Sequence, residues 1–84
     1  MNTRYYQSLV NAIMLLKTKD DVKDFLQGIL SPKELDEIPI RLEIVKLLKK
    51  GIPQHKIASK LGVGVATVTR GSKEIAKGNF HTWR

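Results

Sequence analysis

The chain has no cysteine, so no disulfide or thiolate–zinc site can compensate for its small size. No apolar run approaches the roughly 18 residues of a membrane span, and no signal peptide is visible. The chain is therefore expected to be soluble and cytoplasmic, without a membrane partner. Aromatics are scarce, at 6%, and none stands in the basic half before Phe80. That absence disfavours a single-strand nucleic-acid binder, which needs stacking platforms among its cations. No paired carboxylates in an apolar setting and no nucleophile–base pair stand out, so an enzyme is the least favoured class. His55 and His81 are too isolated to hold a metal, and no metal or resident cofactor is expected.

What is present is charge, unevenly placed. Residues 1–43 carry six basic and seven acidic groups, and residues 44–84 carry nine basic groups and one acid, Glu74. A half so basic attracts polyanions, and nucleic acid is the first candidate against a merely lysine-rich surface. The 84 residues make a single domain near the lower size limit for folding alone, and oligomerisation would enlarge its core.

Helical signals run throughout. Tyr6, Leu9, Val10, Ile13 and Leu16 recur at three- and four-residue spacing, which predicts a helix over 3–17. Thr18 with Asp21, and Ser31 with Pro32 and Glu34, read as capping boxes opening two more helices. Pro39 removes one hydrogen bond from the third helix and predicts a kink or short break there. Gly51 is placed for a left-handed cap. Short helices over 54–60 and 65–77 follow, and no alternating strand pattern is long enough to count. The fold class is all-α, with five to six short helices. Residues 1–50 are read as dimerisation helices and 54–77 as a helix-turn-helix. Residues 78–84 form a tail that is either loose or docks Phe80 and Trp83 on a partner chain.

The stretch from Leu61 to Gly78, "LGVGVATVTRGSKEIAKG", lacks the glycine and lysine order of a phosphate loop. A helix-turn-helix accounts for its positions: Ile57, Leu61, Val63 and Val68 face inward, Ala58 allows a close crossing, and Gly62 allows the turn. A plain helical hairpin shares that apolar spacing but does not explain outward residues that are small, polar and basic. The motif sets the first turns of the last helix into a major groove. Val65, Ala66, Thr67, Thr69 and Arg70 would face base edges there. Gly64 leaves backbone N–H groups for a phosphate oxygen. Lys56, Lys60, Lys73 and Lys77 would hold the DNA backbone, with Gln54 and His55 near the phosphate track. A rival from another class is a protein-interaction module that uses the same scaffold to hold a partner helix.

"GVGVATVTRGSKEI", with "SPKELDEIPIRLEIVKLLKKG", resembles the Trp repressor family over residues from about 20 to 77. The resemblance implies a bacterial, intertwined homodimer that binds a palindromic operator and represses transcription. It also implies L-tryptophan as a corepressor. Arg41 and Arg70 would sandwich the indole, as planar guanidinium groups can. Ser31 and Ile44 would line the pocket, and Gly71 would let the ligand lie close. The carbonyls of Gly28 and Leu30, from the other subunit, would face the ammonium. This sequence departs from the tryptophan-binding members at several points. Glu74 replaces a serine at the ligand's polar end, His55 an arginine, and Ala58 a lysine. The turn before Gln54 is one residue shorter, and the C-terminal helix is reduced to "GNFHTWR". The first half looks closer to a second branch of the family, for which a different ligand or none is expected.

Overall fold

The computed structural model describes residues 1–82. Among them are five α-helices: α1 Thr3–Met14, α2 Lys19–Ile29, α3 Pro32–Lys49, α4 Gln54–Leu61 and α5 Val65–Ala76. The chain divides into two compact units, Met1–Leu35 and Asp36–Arg84.

In the first unit the helix starts are set by local side-chain chemistry. Asn2 caps α1, its Oδ1 accepting from the Tyr5 N–H at 3.2 Å. The Thr18 hydroxyl accepts from the Asp21 N–H, and the Asp21 carboxylate accepts from the Thr18 N–H, closing the expected box. Ser31 and Glu34 make the same exchange at 3.2 and 2.8 Å. Each box satisfies amides that the first helical turn leaves without partners. The first helix stops at Met14, three residues before the predicted end. The Leu15 and Leu16 amides instead close short three-residue bonds to Ala12 and Ile13. No residue of α1 or α2 is buried within the chain: Tyr5 is 73% and Ile29 55% exposed.

The predicted break at Pro39 does not form, so the helix count is five rather than six. Helix α3 runs through it, with Pro39 inside. One absent N–H removes a single rung, and the rest of an 18-residue helix holds the backbone on both sides. The helix ends at Lys49, and Gly51, two residues on, takes φ 81°, the left-handed cap read from the sequence.

The second unit contains the core. Ile57 and Val68 are completely buried and Ile44 is 1% exposed, with Leu47 and Ala58 beside them. Ile40, Leu48, Ile52, Leu61 and Val63 pack around this cluster. Thus α3 lends its C-terminal half as the floor on which α4 and α5 pack. Between α4 and α5 the chain turns at Gly62, in the left-handed conformation at φ 67°. The Val63 N–H donates to the Ala58 carbonyl at 3.0 Å. The turn is tight because glycine takes this left-handed conformation without the strain an L side chain would carry there.

Candidate nucleic-acid interface and neighbouring cavity

Helix α5 presents an exposed surface and borders a cavity, and Ala66, Thr67 and Arg70 belong to both. The exposed surface begins with its first turns. Gly64 precedes α5 in extended conformation, and no side chain caps the helix start. Val65, Ala66 and Thr67 are exposed there, and Arg70, Lys73 and Lys77 are exposed further along. On α4, His55, Lys56 and Lys60 are exposed as well. The structure therefore brings small and basic side chains together on the surface of the α4–α5 pair.

Gln54 and Thr69 differ from the rest. Both are half-buried, and the Thr69 hydroxyl lies 2.8 Å from Gln54 Oε1 and 3.0 Å from the Val65 carbonyl. A hydroxyl has one proton and two lone pairs, so these contacts occupy its donor. Thr69 ties the second turn of α5 to the first residue of α4. The Thr67 hydroxyl has no such tie among the described residues and is the freer of the two to meet a ligand.

The cavity that α5 borders measures about 910 Å³ and lies within the second unit. Helix α3 contributes Arg41 and Ile44, α5 contributes Arg70, Gly71 and Glu74, and the tail contributes Phe80. Five of the eight predicted ligand residues therefore meet around one space. Gly28, Leu30 and Ser31 belong to the first unit, where Ser31 is engaged as the cap of α3. Arg41 pairs with Glu37 one turn earlier at 3.6 Å, with both side chains about half exposed. Such a pair contributes about 0.3–0.5 kcal/mol, little enough for a ligand anion to displace. Among the described residues no carboxylate lies within ion-pair distance of Arg70.

Gly71 has a packing role that the sequence reading missed. A Cβ there would stand 3.1 Å from Ile44 Cγ2 and 3.4 Å from Leu48 Cδ1. The glycine lets α5 lie close on α3, whatever space it also leaves in the cavity.

Glu74 is engaged inside the chain. Its Oε2 accepts from Asn79 Nδ2 at 2.7 Å, and its Oε1 lies 3.5 Å from Lys77 Nζ. The Asn79 amide, and next the Lys77 ammonium, hold its carboxyl below the usual glutamate range, against a small opposing effect of desolvation. The Asn79 N–H also donates to the Glu74 carbonyl at 3.1 Å. Gly78 takes φ 95° and Phe80 φ 63°, so the chain reverses after α5. Lys49 Nζ, at the end of α3, donates to the Phe80 carbonyl. Phe80 is a cavity residue that sequence reasoning left in a tail either loose or docked on a partner chain. Its signal was present only in retrospect, as Gly78-Asn79 turn chemistry one turn after Glu74. The reading of Trp83 as a docking aromatic falls on residues 83–84, outside the described residues.

Comparison with known proteins matches the family model described as Trp repressor protein over residues 4–82. The chain belongs to the Trp repressor family. It is similar to a Trp operon repressor homolog of Vibrio atlanticus, 37% identical over 71 residues, covering 83% of this chain and 72% of that protein. One from Actinobacillus succinogenes is 33% identical over 75 residues, covering 88% of this chain and 74% of the relative. One from Photobacterium profundum is 46% identical over 61 residues, covering 71% and 57%. No solved structure matches significantly. The family is one of repressor-type regulators rather than enzymes, and the five-helix architecture without strands among the described residues agrees with it. Among those residues no helix is long and apolar enough to cross a membrane.

Proposed function

We propose that this chain is a homodimeric repressor that binds a palindromic operator through α4 and α5. The observation that carries the reading is the exposed surface of that pair. Small side chains occupy the start of α5, lysines flank them, and the apolar faces are sealed against α3. Ala66 and the Thr67 methyl suit a thymine methyl, and Lys56, Lys60, Lys73 and Lys77 suit phosphates. The wholly unburied apolar stripe of α1 supports association with a second copy, since monomers seldom leave such patches open. Two copies of α5 would then read half-sites about 34 Å apart.

Fluorescence anisotropy on a duplex selected from a random pool tests this. With four phosphate-contacting lysines per protomer, affinity should fall by about 10³–10⁵ between 50 and 200 mM salt. A flat salt response would refute the phosphate assignments.

For the cavity, Arg41 and Arg70 support an amino-acid ligand, with L-tryptophan as the family's corepressor the first to test. Calorimetry beside an Arg70→Ala control should show saturable binding near one ligand per chain, lost in the control. A second reading, regulation without that ligand, is favoured by one observation: Glu74 already has internal partners, and Phe80 already lines the space.

A further inference from the structure

Gln54 opens α4, and a hydrogen bond from the neighbouring helix fixes its side chain. The Thr69 hydroxyl, in the second turn of α5, lies 2.8 Å from Gln54 Oε1, and the contact is part-buried where the two helices meet. The same hydroxyl lies 3.0 Å from the Val65 carbonyl one turn earlier. Its single proton sits between these two acceptors, so Thr69 has no donor left to read a base. With its oxygen turned inward, the Gln54 carboxamide has its NH2 group left over. Gln54 does not spend that group on a cap, since no side chain caps the start of α4. Among the described residues nothing accepts a hydrogen bond from Gln54 Nε2, and no buried side-chain nitrogen or oxygen lacks a partner. The Nε2 atom therefore reaches solvent. It does so beside the turns of α5 whose exposed Ala66 and Thr67 form the proposed reading surface.

We propose that Gln54 Nε2 donates to a DNA phosphate oxygen, and that Thr69 is the positioning residue that aims it. Thr69 touches no DNA and acts through Gln54. In a helix-turn-helix the first helix of the pair crosses the DNA backbone, so a donor on its first residue meets phosphate rather than a base edge. This amide differs from the surrounding lysines in a measurable way. Being neutral, it adds a hydrogen bond without releasing a counterion, so it contributes affinity that salt does not remove. A phosphate contact also carries no sequence preference. The proposal rests on the DNA-binding reading.

The test is fluorescence anisotropy of the full-length chain across a range of salt. Two duplexes are used, one selected from a random pool by the wild type and one unrelated. The variants are Gln54→Ala, Thr69→Val, Thr69→Ser and the double variant Gln54→Ala with Thr69→Val. At two neutral hydrogen bonds per dimer, Gln54→Ala should weaken binding about tenfold to a hundredfold. The loss should be equal on both duplexes, with the slope of log affinity against log salt unchanged. Thr69→Val removes the hydroxyl and should lose no more than Gln54→Ala. Thr69→Ser keeps the hydroxyl and should bind as the wild type. The double variant is decisive: it should bind no worse than Gln54→Ala alone, because Thr69 has nothing left to aim. Circular dichroism checks folding, and Thr69→Ala stands in if Thr69→Val does not fold. Unchanged binding by Gln54→Ala overturns the proposal. So does a double variant weakened by the product of the two single losses, which would place Thr69 on the DNA or in the helix packing alone. A Gln54→Ala loss confined to the selected duplex overturns it too, because the amide would then read a base. A wild type that holds neither duplex overturns the DNA-binding reading itself.

Discussion

Replacing Gly71 with alanine sets two opposed effects against each other at one position. Gly71 lies inside α5, where alanine is favoured over glycine by about 0.8–1.0 kcal/mol. The added Cβ would meet Ile44 Cγ2 at 3.1 Å and Leu48 Cδ1 at 3.4 Å. Carbon atoms attract best at about 3.5–4.0 Å, so the first contact is well inside the optimum. The Leu48 atom is the far end of a flexible side chain and can yield. Ile44 is β-branched, stiff at χ1, and almost fully buried, so it cannot yield without moving the core. Inserting a methyl into such a site costs about 1–3 kcal/mol. The net is a destabilisation of about 1 kcal/mol, since the steric cost exceeds the helical gain over most of that range.

Gly28→Ala is the matched control. Gly28 also lies in a helix, but its added Cβ meets nothing within 4 Å. Only the conformational gain remains, about 0.5–1 kcal/mol of stabilisation and less if the helix end frays. Thermal denaturation at one fixed protein concentration reads the difference, fixed because a dimer's melting point depends on concentration. At about 4–8 °C per kcal/mol for a chain this size, Gly71→Ala should melt several degrees below the wild type and Gly28→Ala a few degrees above. If both variants melted higher by the same amount, the close crossing of α5 on α3 would be refuted.

Ile57→Ala should cost about 2–5 kcal/mol, because it empties a fully buried position in the centre of the core; urea denaturation measures it. Against a total near 4–13 kcal/mol for 84 residues, that loss leaves a marginal protein. Thr69→Val keeps the branched shape but removes the hydroxyl between α4 and α5, and should cost about 1 kcal/mol in the same assay, whereas Thr67→Val should not. Equal losses for both would show that the Thr69–Gln54 bond contributes nothing. The Glu74 carboxyl is held below the ordinary range in the folded chain, so its contribution is present above the unfolded glutamate value and is lost as pH falls through the lower folded value. Followed by NMR, the Asn79 side-chain amide should shift with a midpoint below 4.5. A midpoint at or above that value would rule out the Asn79–Glu74 bond.

The helices were legible because their starts are written in four consecutive residues. Thr18 with Asp21 and Ser31 with Glu34 form the boxes their spacing implies. The α4–α5 motif was legible for a related reason: Ile57, Ala58 and Val68 lie inward at the spacing a glycine turn requires. Of the kink or short break expected at Pro39, the break does not occur, because one missing hydrogen bond is minor inside a long helix. Arg41, Ile44, Arg70, Gly71 and Glu74, named from the family resemblance, line one cavity, where Phe80 joins them without having been named for it, and Thr69 was read as outward-facing but is half-buried.

Sequence alone determined the helical class, the caps, the division of charge and the family, since each rests on short-range spacing or on which residue types are present. Tertiary structure alone decided what those residues do to one another. Thr69 meets Gln54 across 15 positions and Lys49 meets Phe80 across 31. Gly71 is required by an isoleucine on another helix, and Glu74 is occupied by the tail that follows it. A residue's type states which bonds it can make. Only the crossing of helices and the reversal of the chain bring the partner within 3 Å, and that proximity turns a loose-looking tail into a wall of the cavity.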